Sequence, residues 1–180
     1  MSKQTVVLYQ SKTGFTRRYA EWIAQALGAR VIDIRKVNSQ ALTGCETLVF
    51  GGRAHAGRLS GLSQAKRLFQ SSGAKHFVVF ATGATPNQAE ETIEQFWSNN
   101  LSPEERAGTP HFYMQSGLCY EKMGFVDKLM MKGVSSMLKK KPNLTEEERL
   151  MAKAIETSFD SSSPAYIEPL VHKLKEEAWI

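Results

Sequence analysis

The amino-acid sequence predicts an α/β fold: a five-stranded parallel sheet of order 2-1-3-4-5 between two layers of helices. Three observations predict it. Short apolar runs rich in Val, Ile and Phe alternate with stretches of helical periodicity. The runs are apolar at successive positions, as strands covered on both faces must be. The first, third and fourth runs lead into Gly, Ser and Thr, residues that suit a ligand crevice at the carboxyl ends of parallel strands.

The elements follow in order. Thr5-Val6-Val7-Leu8-Tyr9-Gln10 is the first strand, being β-branched and apolar. Tyr19, Trp22, Ile23, Ala26 and Leu27 recur at helical spacing, and Gly28 ends that helix as a left-handed cap. Ala29-Arg30-Val31-Ile32-Asp33-Ile34 is the second strand, with a loop through Asn38 and Ser39 after it. Glu46-Thr47-Leu48-Val49-Phe50-Gly51-Gly52 is the third and His76-Phe77-Val78-Val79-Phe80-Ala81 the fourth. Residues 109–117 contain the fifth. Helices are expected over 62–71 and over 87–99, the second burying Ile93, Phe96 and Trp97.

A plain fold of this kind needs one closing helix, expected at 164–179, but residues 118–162 intervene first. Met123, Val126, Met130, Val134 and Met137 fall on one helical face, with Lys128, Lys132 and Lys139 opposite, and Pro142 ends the segment. Thr145 and Glu148 then form the capping box of another helix. The chain is therefore expected to be one domain, 1–180, with a helical insertion at about 118–162. An apolar helical stripe ordinarily packs in a core. This one is also rich in methionine and lysine, a composition suited to an anionic membrane surface through 122–141.

Composition narrows the function classes. The 180 residues are 42% hydrophobic and 23% charged, with no run long enough to span a membrane. Met1-Ser2-Lys3-Gln4 lacks a signal-peptide core, so a cytoplasmic location is expected. Cys45 and Cys119 have no metal or redox spacing, which suits a reducing compartment and predicts no metal. No carboxylate pair or Ser/His/Asp set stands out. The net charge of +5 suggests an anionic partner.

The most informative stretch is Ser11-Lys12-Thr13-Gly14-Phe15-Thr16, between the first strand and first helix. It gathers helix-start amides, three hydroxyls and a lysine around one point, which suits a phosphate. It is neither a Walker loop nor a Gly-x-Gly-x-x-Gly loop. The spacing Ser-x-Thr-Gly-x-Thr resembles the FMN-phosphate loop of flavodoxins at every fixed position.

That resemblance implies a flavodoxin-like three-layer sandwich with FMN as its cofactor. The flavin ring would lie across Arg53, Ala54, His55, Ala56 and Gly57 after the third strand. It would also meet Thr82, Gly83, Ala84, Thr85 and Asn87 after the fourth. Glycines at the start of both segments would let backbone approach a planar ring. Neither segment has the Trp or Tyr that many flavodoxins stack on the ring, which leaves His55 as the candidate. His55, flanked by Arg53 and Arg58, is also the candidate for proton transfer, with the arginines facing a substrate carboxylate or the reduced flavin.

Gly117-Leu118-Cys119-Tyr120 and Asp127-Lys128-Leu129-Met130-Met131-Lys132 resemble the menaquinone-dependent protoporphyrinogen dehydrogenase family. This implies a porphyrinogen substrate, a quinone or redox-protein acceptor, and peripheral attachment to the inner face of a membrane. No nucleic-acid partner is expected. Two alternatives stay open: an FMN electron carrier with no substrate of its own, which the basic charge disfavours, and a non-enzymatic phosphate-binding module.

Overall fold

A computed structural model describes residues 4–38, 40–145, 149 and 155–180. The chain divides into two units, Met1–Ser116 with Ser162–Ile180, and Gly117–Ser161. In the first, β1 (Gln4–Tyr9), β2 (Arg30–Asp33), β3 (Cys45–His55), β5 (His76–Gly83) and β6 (His111–Gln115) form a parallel sheet of order β2-β1-β3-β5-β6. This is the predicted 2-1-3-4-5 order. A two-residue strand, β4 (Arg58–Leu59), pairs antiparallel with the end of β3.

The helices of this unit are α1 (Phe15–Leu27), α2 (Leu62–Ser72), α3 (Glu90–Asn100) and α4 (Pro103–Gly108), with α6 (Glu168–Glu176) after the insertion. Alternation along the strands supplies two cores. Val6, Leu8, Leu48, Phe50, Val79 and Ala81 pack with Leu62, Ala65, Phe96 and Trp97. Val7, Val49, Val78, Phe80 and Met114 pack with Tyr19, Ala20, Ile23, Leu170 and Leu174. The buried stripe of α1 runs through Tyr19, Ala20, Ile23 and Ala24, whereas Ala26 is exposed. Gly28 caps α1 with φ 61°.

Three differences from the expected elements have local causes. The closing helix begins as a 3-10 turn (Pro164–Ile167), because Ser163 accepts from the amide of Ala165. The short helix α4 was not expected, although its signals are present. Ser102 and Glu105 form a reciprocal capping box, and Pro103 occupies the first turn. The third strand runs on to His55, then reverses at Ala56 (φ 48°) and Gly57 (φ 74°). Positive φ at both central residues is the two-residue hairpin geometry that matches strand twist.

The second unit holds an antiparallel pair, β7 (Gly117–Leu118) with β8 (Phe159–Asp160), and the helix α5 (Phe125–Lys140). The capping box expected at Thr145 and Glu148 lies partly outside the described residues. The stripe of α5 departs from ordinary core packing. Of the stripe, Val126 (75%), Val134 (40%) and Met137 (75%) are exposed and Met123 and Met130 half-buried; Phe125 (81%) and Leu129 (59%) are exposed beside them in sequence, while Asp127 and Ser135 are buried. Ser135 donates to Glu156 Oε1 at 2.7 Å, and Lys139 bonds the same carboxylate. Among the described residues, no helix is long and apolar enough to cross a membrane.

Candidate functional site

The loop after β1 turns into α1 through Gly14, at φ 105°, a conformation that side chains disfavour. The Gly14 amide donates to Ser11 Oγ at 3.1 Å, which folds Ser11 back over the turn. No side chain caps α1, and its first turn carries no acid. The turn therefore presents helix-start amides and a positive dipole end, with no acidic side chain in the first turn of the helix. Ser11, Thr13 and Gly14 are half-buried and Lys12 is exposed. This donor set fits a phosphate.

Phe15 and Thr16 are buried, at 9% and 2% exposure. Phe15 lies under the Arg18 guanidinium, 5.7 Å from the ring centroid. Thr16 Oγ1 lies 2.7 Å from Thr82 Oγ1 at the end of β5, so the loop is tied directly to the second predicted segment.

That second segment is strand through Gly83, and Ser116 donates to the Gly83 carbonyl at 2.7 Å. Thr85 lies beside the Tyr113 hydroxyl, whose burial pushes its pKa up to about 12. Asn87 exchanges two hydrogen bonds with Gln115. The Gln115 amide donates to Asn87 Oδ1 at 2.9 Å, and the Asn87 amide donates to Gln115 Oε1 at 3.3 Å. Tyr19 Oη donates to the Gln115 carbonyl at 2.5 Å and accepts from the Ser163 amide at 3.1 Å. Gln115 thus joins the 84–87 loop, α1 and the closing segment. Sequence reasoning missed it, since nothing local marks a residue whose partners lie 28 and 96 positions away.

The first predicted segment is corrected. Arg53, Ala54 and His55 are strand rather than loop, with Arg53 opposite Thr82 and His55 opposite Arg58. Ala56 and Gly57 form the hairpin turn. Arg58 Nη1 donates to the Asn99 carbonyl at 2.8 Å, so at least one of its donors serves the end of α3. The neighbouring Asn100 completes a latch. Its Oδ1 accepts from the Leu59 amide at 2.7 Å and its Nδ2 donates to the Gly57 carbonyl at 2.9 Å. Replacing Asn100 by Ala should cost about 1–2 kcal/mol of stability, measured by urea denaturation, because two hairpin backbone groups lose their partner.

A Cβ on Gly51 would lie 2.0 Å from Phe80 Cζ, and one on Gly83 2.4 Å from the Tyr113 hydroxyl. Both glycines leave room for the protein's own Phe80 and Tyr113 side chains.

Cys45 is buried, which raises its thiol pKa, and donates to the Thr47 carbonyl at 3.2 Å. Cys119 is half-buried and donates to Glu121 Oε2 at 3.3 Å. Among the described residues, no group of three or more His, Cys, Asp or Glu side chains could hold a metal ion.

The sheet order, with a hydroxyl-rich loop between β1 and α1, defines a flavodoxin-like α/β protein. The chain belongs to the flavodoxin domain family, whose model matches residues 6–145, and FMN is its cofactor. A WrbA-like flavodoxin from Agrobacterium tumefaciens is similar at 20% identity over 70% of this chain and 88% of its own, with a TM-score of 0.42. The Trp repressor binding protein from Bacillus subtilis is similar at 16% identity over 62% and 84%, with a TM-score of 0.43. A flavoprotein from Bacteroides uniformis is similar at 18% identity over 73% and 99%, with a TM-score of 0.42. No curated protein matches the chain.

Proposed function

We propose that this chain is an FMN-dependent oxidoreductase that holds the cofactor phosphate in residues 11–16. The observation that carries this is the acid-free start of α1, with no side-chain cap, behind the Gly14 turn of a loop that carries Ser11, Thr13 and Thr16. Bound FMN supplies the redox chemistry. The protein's own groups bind and orient it: helix-start amides and hydroxyls hold the phosphate, and Lys12 adds charge. The 84–87 loop, fixed by Asn87 and Gln115, and the β3–β4 hairpin would border the ring. Replacing Thr13 by Ala should weaken FMN binding by about 1 kcal/mol or more, read by fluorescence titration. An unchanged dissociation constant would remove the loop from the site.

His55 is the proposed proton-transfer group on the hairpin, with Arg53 and Arg58 as fixed positive charges beside it. His55→Ala should lower turnover while changing stability by less than about 0.5 kcal/mol. Equal turnover in variant and parent would make His55 an ordinary hairpin residue.

The specific activity in this reading is oxidation of a porphyrinogen with a quinone acceptor, at the cytoplasmic face of a membrane. What supports it is the likeness of residues 117–120 and 127–132 to protoporphyrinogen dehydrogenases. The exposed apolar side chains of α5, on a helix that also exposes Lys132 and Lys140, add support, since such a helix suits an anionic bilayer surface. Assay of porphyrinogen oxidation with a quinone tests it. No turnover with FMN-loaded protein would leave the coarser oxidoreductase reading alone.

A further inference from the structure

Thr16 and Thr82 are each 2% exposed, and their hydroxyl oxygens lie 2.7 Å apart. One sits in the first turn of α1 and the other near the end of β5, 66 residues further along the chain. Each hydroxyl has a single proton, and burial keeps water from competing for it. Two arrangements are possible. If Thr16 donates to Thr82, its proton is consumed within the pair. If Thr82 donates to Thr16, the Thr16 proton can point into the turn that Gly14 and Ser11 shape.

From this pair we infer that Thr82 is a positioning residue for the phosphate site. Its hydroxyl donates to Thr16 Oγ1, so that the Thr16 proton is presented to the bound anion. This rests on the reading that FMN phosphate binds at residues 11–16. A phosphate oxygen only accepts, so its arrival selects the arrangement in which Thr16 faces it as a donor. The Thr82 donation then polarises that same O–H, strengthening its bond to a charged acceptor. Thr82 thereby serves the phosphate end of the site, although its place in the chain suggests the ring end.

The test compares FMN with riboflavin, which has the ring but no phosphate, by fluorescence titration of the full chain. Thr82→Val removes the hydroxyl at nearly constant volume. It should raise the FMN dissociation constant roughly tenfold, as expected for loss of a hydrogen bond acting on a charged group, and leave riboflavin binding unchanged. Thr82→Ser should bind FMN within about twofold of the parent. The double variant Thr16→Val/Thr82→Val should bind FMN no more weakly than Thr16→Val alone, because Thr82 acts through Thr16. Unchanged FMN affinity in Thr82→Val overturns the inference, as does an equal loss for riboflavin or additive effects in the double variant. A parent that binds no FMN overturns this inference together with the function it rests on. A parent that binds FMN normally beside an unaffected Thr82→Val overturns this inference alone.

Discussion

Phe80→Ala is expected to lower the unfolding free energy by about 3–5 kcal/mol, the usual cost of emptying a buried phenylalanine site. The side chain is fully buried in the cluster that joins Val7, Tyr19, Ile23, Met114, Leu170 and Leu174. Its ring fills the space above Gly51, its registered partner on β3, where no Cβ would fit. The site resists collapse, because β3 and β5 are held by their ladder and the helices by the rest of the cluster. A domain of this size has about 5–15 kcal/mol in total, so the loss takes a large share of it. Urea denaturation measures it, with an unchanged slope showing that cooperativity persists. A loss below about 1 kcal/mol would contradict the packing described.

The second large effect concerns membrane binding by α5. Replacing Lys132, Lys140 and Lys141 by Glu is expected to weaken binding to anionic vesicles by roughly a hundredfold at low salt, at about 1 kcal/mol for each lysine lost. All three are exposed, and Phe125, Val126 and Leu129 are exposed on the same helix. Co-sedimentation with phosphatidylglycerol vesicles reads the effect, and high salt should weaken the parent in the same direction. FMN content should not change, since none of the three lies in the 11–16 loop. A parent that ignores anionic vesicles at low salt ends the membrane reading.

The sheet order was legible because Val6, Val7, Leu48, Val49, Val78 and Val79 mark strands apolar on both faces, and helical spacing separates them. The phosphate loop was legible because its chemistry is local: hydroxyls, a glycine and a helix start lie within six residues. The hairpin at 56–57 was not. Arg53, Ala54 and His55 carry no strand signal, and Ala56 stands where such turns favour Asn or Gly. Nor could the sequence say what fills the space beside a glycine. Gly51 and Gly83 look like openings for a ring, whereas Phe80 and the Tyr113 hydroxyl occupy those spaces. The pairs Thr16–Thr82, Asn87–Gln115 and Arg58–Asn99 join distant residues, and only the folded chain brings them together.

The central claim is that residues 11–16 cradle the phosphate of FMN. The most direct measurement is the absorption spectrum of the purified protein after incubation with FMN and desalting, followed by mass determination of the released cofactor. The account predicts a flavin spectrum at one FMN per chain, lost or reduced in Thr13→Ala. A colourless protein, or one that retains FAD in preference to FMN, would contradict it.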